Sequence, residues 1–236
     1  MSAPAATLLH GDVLDVLPGL AGRDFAVVVA DPPYCSGGMQ ATGRVKPKHD
    51  GRYNPRRDRW ILGDQMSTEV YREWLRAVLR LALNACRDSA CAFVFTDWRM
   101  WPVVQHAGEA GGWTTAQMVV WDKVGKGMGH FWMNQHELVW CGFKNRRRHP
   151  PGVGRGNVVA ERKPREQAHP NAKPPRLIEA LLASVAVEGG VLDPFAGGGS
   201  TGIAARQAGR EFTGIDVDGE WVEQARRNLQ MGLMAA

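Results

Sequence analysis

Six consecutive apolar residues, Phe25-Ala26-Val27-Val28-Val29-Ala30, run without polar alternation into Asp31-Pro32-Pro33-Tyr34. A β-branched run of this kind is a strand buried on both faces, as found in the middle of a parallel sheet, and that requires an α/β architecture with helices covering both sides. The tetrapeptide is then the strand's carboxyl end, where open α/β sheets bind their ligands. Two prolines in succession remove two backbone donors, so their carbonyls and the Asp31 carboxylate form a stiff edge that only accepts hydrogen bonds. An amino group suits such an edge, and Tyr34 offers a ring to lie against it. A strand-ending turn capped by Asp31 is the plainer reading of the same residues.

A second constellation lies near the other end of the chain. Gly190-Val191-Leu192-Asp193-Pro194-Phe195-Ala196-Gly197-Gly198-Gly199-Ser200-Thr201-Gly202 reads as a short strand, a glycine-rich turn and a helix over 201–208. Glycines let backbone N–H groups come close to a ligand. Gly197, Gly199 and Gly202 satisfy G-x-G-x-x-G, and Asp216 follows at the end of Phe212-Thr213-Gly214-Ile215, where a carboxylate would bind a ribose diol. No lysine follows the glycines, which excludes a nucleoside-triphosphate loop and leaves an NAD-like or an S-adenosylmethionine-like ligand.

These two stretches resemble the S-adenosylmethionine-dependent amino-methyltransferases of DNA, which carry Asp/Asn/Ser-Pro-Pro-Tyr/Phe/Trp at the catalytic strand and Asp-Pro-Phe before the glycines. Here the glycine turn follows the Asp-Pro-Pro-Tyr strand, as in the circularly permuted β class of that family. Trp121-Asp122-Lys123, a glycine-rich link and Gln135-His136-Glu137 before a strand add to the likeness. The resemblance implies a Rossmann-like methyltransferase fold with a mostly parallel central sheet and helices on both faces. It also implies methyl transfer from S-adenosylmethionine to the exocyclic N6 of an adenine flipped out of double-stranded DNA. Asp at the first motif position leans to adenine over cytosine N4. A non-catalytic DNA-binding relative is the alternative from another class.

By the same resemblance Asp31, Pro32, Pro33 and Tyr34 are catalytic, and Asp193, Phe195, Ala196, Gly197, Gly199, Thr201 and Asp216 hold the donor. Asp12, after the short strand Thr7-Leu8-Leu9, is a candidate acceptor for the donor's adenine or simply a helix cap. Asn171 and Lys173 lie in His169-Pro170-Asn171-Ala172-Lys173-Pro174, similar to the family's His-Pro-x-x-Lys-Pro beside the donor's methionine part. No metal is called for.

Periodicity disappears over 35–64, where Arg44, Lys46, Lys48, Arg52, Arg56 and Arg57 alternate with Tyr53, Asn54 and Trp60. A basic, aromatic loop of that length beside a catalytic strand suggests a DNA-gripping flap, against the plainer reading of a solvated loop. Arg146, Arg147 and Arg148 open a second irregular stretch, 144–168, where family members insert a large target-recognition domain; here it is reduced. The net charge of +5 agrees with a polyanionic partner. A homodimer and a cognate restriction endonuclease are partners the family brings with it. No apolar run approaches membrane-spanning length, and the expectation is one cytoplasmic domain over 1–236. Cys35, Cys86, Cys91 and Cys141 have no paired spacing and read as buried free thiols.

The remaining elements follow from periodicity. Ser67 caps a helix with Val70, Trp74, Val78, Leu81 and Ala82 on its inner face. Strands are expected over 90–95, 117–121 and 136–143, and helices over 98–110, 176–187 and 218–229. His136 is a candidate acid or base, or a structural histidine.

Overall fold

The computed structural model describes residues 4–35, 66–127, 131–145, 155–163, 173–185 and 187–234. Arg44, Lys46, Lys48, Arg52, Arg56, Arg57, Arg146, Arg147, Arg148 and Asn171 lie outside the described residues, with nearly all of 35–64 and much of 144–168.

The described chain forms β1 (Ala6–His10), α1 (Val13–Val16), a 3-10 turn (Leu17–Leu20), β2 (Phe25–Ala30), α2 (Thr68–Ala85), β3 (Cys86–Thr96), α3 (Trp101–Ala110) and β4 (Thr114–Asp122). It continues with β5 (His136–Phe143), β6 (Val158–Ala160), α4 (Pro175–Ala183), β7 (Val191–Asp193), α5 (Ser200–Gln207), β8 (Phe212–Asp216) and α6 (Gly219–Met234). The strands join in one sheet, in the order β1-β8-β7-β2-β3-β5-β4-β6. Only the pairings of β5 with β3 and β4 are antiparallel. The sheet is therefore mostly parallel, with β5 reversed.

Every residue of β2 is buried, as its unbroken apolar run requires. Phe25, Val28 and Ala30 enter one core with α1, α2 and α3, while Ala26, Val27 and Val29 enter a second with α4, α5 and α6. The four cysteines are buried, and none is in a disulfide among the described residues.

Several elements depart from expectation. In α2 the buried stripe is Tyr71, Leu75, Val78, Leu79, Ala82 and Leu83, whereas Val70 is exposed and Trp74 and Leu81 are half-buried. The stripe is rotated by about one residue because the Tyr71 ring, not Val70, faces the core in the first turns. The helix expected from Trp98 begins at Trp101, since the Asp97 carboxylate accepts the N–H groups of Arg99 and Met100 and holds a turn there. The helix expected to reach Val187 stops at Ala183, with the Ser184 hydroxyl donating to the Leu181 carbonyl. Within the stretch read as irregular, Val158–Ala160 forms β6, paired parallel to β4. Three residues are too few for a period to register.

Four parallel strands, β1, β8, β7 and β2, stand side by side. Their carboxyl ends carry Asp12, Asp216, Asp193 and Asp31 along one rim. Because β4 is antiparallel to β5 and β5 to β3, β4 runs with β3. The hairpin between β4 and β5 thus rises from the same rim.

Candidate active site

Asp31 leaves β2 beside Lys173, which precedes α4. The Lys173 Nζ lies 2.8 Å from Oδ1 and donates to Oδ2 at 2.8 Å. It also stands 3.4 Å from Glu137 Oε2 and over the rings of Tyr34 and Phe95, at 5.3 and 5.1 Å from their centroids. Lys173 is 6% exposed. Burial works against its charge, but the Asp31 and Glu137 carboxylates raise its pKa above the ordinary lysine value and keep it an ammonium. Burial raises the pKa of Asp31, with Lys173 as the opposing influence.

Glu137, the second residue of β5, gathers the rest. Its Oε2 accepts from the Tyr34 hydroxyl at 2.9 Å and its Oε1 from Lys123 Nζ at 3.1 Å. Burial alone would raise its pKa, yet Lys173 and Lys123, together with the Lys123 and Tyr34 hydrogen bonds, hold the carboxyl at about 2. Tyr34 is pushed well above the ordinary phenol value by burial and by Asp31 and Glu137, so it is a neutral donor. Two carboxylates and two ammonium groups meet here, and the Lys163 ammonium lies near enough to interact with all four. This arrangement is stiff: every charged head has an opposite partner, and the tyrosine ring is tied at its far end.

Across β7 and β8 lies the glycine turn. Asp193 is 3% exposed, its Oδ1 accepting from Phe195 N–H at 2.9 Å and its carboxyl also bonded to Thr201. Burial pushes it up to about 7. Asp216 accepts Gly197 N–H on Oδ2 at 2.8 Å and Asp218 N–H on Oδ1 at 2.9 Å. Gly197 and Gly199 have φ of 48° and 84°, a region costly for other residues. A Cβ on Gly202 would stand 2.7 Å from the Phe212 ring, so the third glycine allows α5 to close on β8. Ala196 is buried, and the Phe195 ring packs on Trp74 with centroids 5.5 Å apart. Asp12 caps α1, its Oδ1 accepting Leu14 N–H at 2.8 Å. A rim of carboxylates over a glycine turn fits a ligand that offers hydroxyl and amino donors and carries positive charge.

The structure thus brings the two distant constellations to neighbouring strands, β2 and β7. Lys173, expected beside the donor's methionine part, makes its ion pair with Asp31. Glu137 and Lys123 join the cluster at Asp31, although the residues around them carry no local signal beyond their likeness to the family. His136, the candidate acid or base, is exposed. The start of the strand at His136-Glu137 was the available signal, because successive strand residues point to opposite faces.

Comparison with known proteins decides the family. The DNA methylase family (N6_N4_Mtase) matches residues 25–227. The chain belongs to that family. Among relatives of this DNA methylase, the type II methyltransferase M2.DpnII of Streptococcus pneumoniae is 25% identical, over 94% of this chain and 89% of its own length. Its fold is shared with solved structures. M1.HpyAVI in complex with SAM superposes with a TM-score of 0.69 at 16% identity, covering 95% of this chain and 99% of that one. The cytosine-N4-specific PvuII DNA methyltransferase gives 0.70 at 15% identity, over 95% and 88%. The DNA methylase described here has the Rossmann-like methyltransferase fold.

Proposed function

We propose that this DNA methylase transfers a methyl group from S-adenosylmethionine to the exocyclic N6 of an adenine extruded from double-stranded DNA, and that it is a β-class, circularly permuted enzyme. The observation that carries this reading is the Asp31 carboxylate standing at the end of β2, with β7 and its glycine turn on the neighbouring strand. The order of the motifs, Asp-Pro-Pro-Tyr before the glycines, supports the permuted class. Aspartate rather than serine at position 31 supports adenine.

S-adenosylmethionine supplies an electrophilic methyl on a sulfonium and needs no strong base to deliver it. Asp216, Gly197, Gly199 and Asp193 would hold it, with Asp12 at the neighbouring strand end and Asn171 from the segment before α4. Asp31 and the Pro32 carbonyl accept the hydrogens of the target amine. Those bonds strengthen as the nitrogen gains positive charge, which favours the transition state over the ground state. Tyr34, its hydroxyl tied to Glu137, presents a ring for the base to stack on. The basic residues of 35–64 and 144–168 would neutralise phosphates.

The test is nucleoside mass spectrometry on unmethylated genomic DNA treated with the protein and S-adenosylmethionine. N6-methyladenine is the expected product. N4-methylcytosine would keep the mechanism and overturn the base assignment, a reading the PvuII likeness makes worth testing. Asp31→Ala should lower turnover by about a thousandfold while leaving donor binding nearly intact, and Asp216→Ala should weaken donor binding by about tenfold. Equal effects of both on binding and turnover would sink this division of labour.

A further inference from the structure

The descending arm of the link from β4 to β5 carries the two most exposed large apolar side chains among the described residues, Phe131 at 90% and Trp132 at 82%. Their rings meet edge to face, with centroids 5.8 Å apart. The base of the hairpin is firmly built. Lys123 N–H donates to the Gln135 carbonyl at 2.9 Å, and Gly127 N–H to the Asn134 carbonyl at 3.0 Å. The Asp122 carboxylate accepts from Val124 N–H and from the Gln135 side-chain amide, at 2.8 and 2.9 Å. At Gly127 the two arms run so close that a Cβ would lie 2.4 Å from the Asn134 oxygen. Two aromatic rings held out on a braced arm have surface that water solvates poorly, so the arm is built to meet a partner.

Position and charge say which partner. The hairpin rises from the rim that carries Asp31, and the strand it feeds places Glu137 on Tyr34 at 2.9 Å. Lys126 lies on its ascending arm, and β6, in register with β4 from Val120 to Asp122, delivers Arg162 and Lys163 to the same rim. Basic side chains around exposed aromatic rings, on the rim that carries Asp31 and Tyr34, match a duplex whose stack has been opened. We propose that Phe131 and Trp132 form an aromatic wedge that enters the DNA stack beside the target and occupies the space left by the extruded base. The inference rests on DNA methylation as the activity and adds the element that holds the duplex open.

The test uses the full chain and a synthetic duplex carrying the site found by sequencing methylated genomic DNA. Donor binding by the Phe131→Ala/Trp132→Ala protein should equal that of the unaltered protein. Its kcat/KM on the matched duplex should fall by about tenfold or more, as expected for loss of aromatic stacking on bases. Removing the base opposite the target should restore most of the loss, because the target then leaves the stack without a wedge. The pair Phe131→Leu/Trp132→Leu, which keeps an apolar tip, should lie between. Equal losses on matched and abasic-partner duplexes, or none on either, would overturn the wedge. So would a drop in the oligomeric state of the double alanine protein by analytical ultracentrifugation, with activity restored at high protein concentration, since the tip would then be a subunit contact. Absence of methylation by the unaltered protein on any DNA would instead defeat the proposed function, and the two failures are distinct.

Discussion

Lys173 Nζ sits 2.8 Å from each carboxylate oxygen of Asp31, and both groups are enclosed by Tyr34, Phe95 and Glu137. The Asp31 carboxylate is thus paired with a buried cation from a segment more than a hundred residues away.

Replacing that cation exposes its role. Lys173→Met leaves Asp31 and Glu137 facing each other without Lys173 in a poorly solvated site, which should cost about 3 kcal/mol of stability, read by urea denaturation. Burial already raises the Asp31 pKa, and loss of Lys173 raises it further. The acid limb of the turnover–pH profile should therefore move to higher pH in the variant. An unmoved limb would show that Lys173 does not govern the ionisation of Asp31.

Glu137 orients rather than reacts, since it touches Tyr34, Lys123 and Lys173. Glu137→Ala frees the tyrosine hydroxyl and should lower kcat about ten- to a hundredfold while donor affinity changes little. Glu137→Gln keeps an oxygen for Tyr34 and should fall less. Equilibrium dialysis with labelled donor, set against steady-state turnover, separates the two effects, and equal weakening of both would contradict an orienting role.

Asp193 predicts a pH dependence of stability. Its folded pKa is about 7 because of burial, against an unfolded value near ~4. Between those values the folded chain holds a proton that the unfolded chain has lost. Stability from this group should therefore fall as pH rises from about 4 to about 7, by about 1.4 kcal/mol per pH unit, and level off above. Asp193→Asn should remove that slope from urea-denaturation curves. Parallel curves for the two proteins would show that Asp193 does not titrate in this window.

Gly199 has φ of 84°, and a Cβ there would meet the Ala225 Cβ at 3.0 Å and its Cα at 3.3 Å. Gly199→Ala should therefore cost about 1–3 kcal/mol, seen as a lowered Tm, and weaken donor binding through the displaced turn. An unchanged Tm would mean that α6 yields to the methyl without loss.

Much of the fold was legible because its signals are local. The unbroken run Phe25–Ala30 could only be an interior strand, and it is buried throughout. The spacing of Gly197, Gly199 and Gly202 before an apolar helix specified the turn at β7, and Asp216 was placed at the end of β8 by the same local reading. Both constellations were visible as chemistry before they had a shared location.

The ion-pair cluster at Asp31 was less legible, since charge pairing has no sequence period. The neighbours of Lys173 resemble a donor-contact motif, and only the fold brings its ammonium onto Asp31. Glu137 and His136 are adjacent and both polar; the register of β5 against β3, which pairs Leu138 with Thr96, decided that Glu137 turns in and His136 out. The sequence by itself determined the interior strand β2, the glycine turn and the carboxylates that end β2 and β8, because backbone preference and hydrophobic period act over a few residues. Tertiary structure alone decided which cation neutralises that carboxylate and what ties Tyr34, because buried ion pairs form wherever the sheet brings opposite charges together out of water.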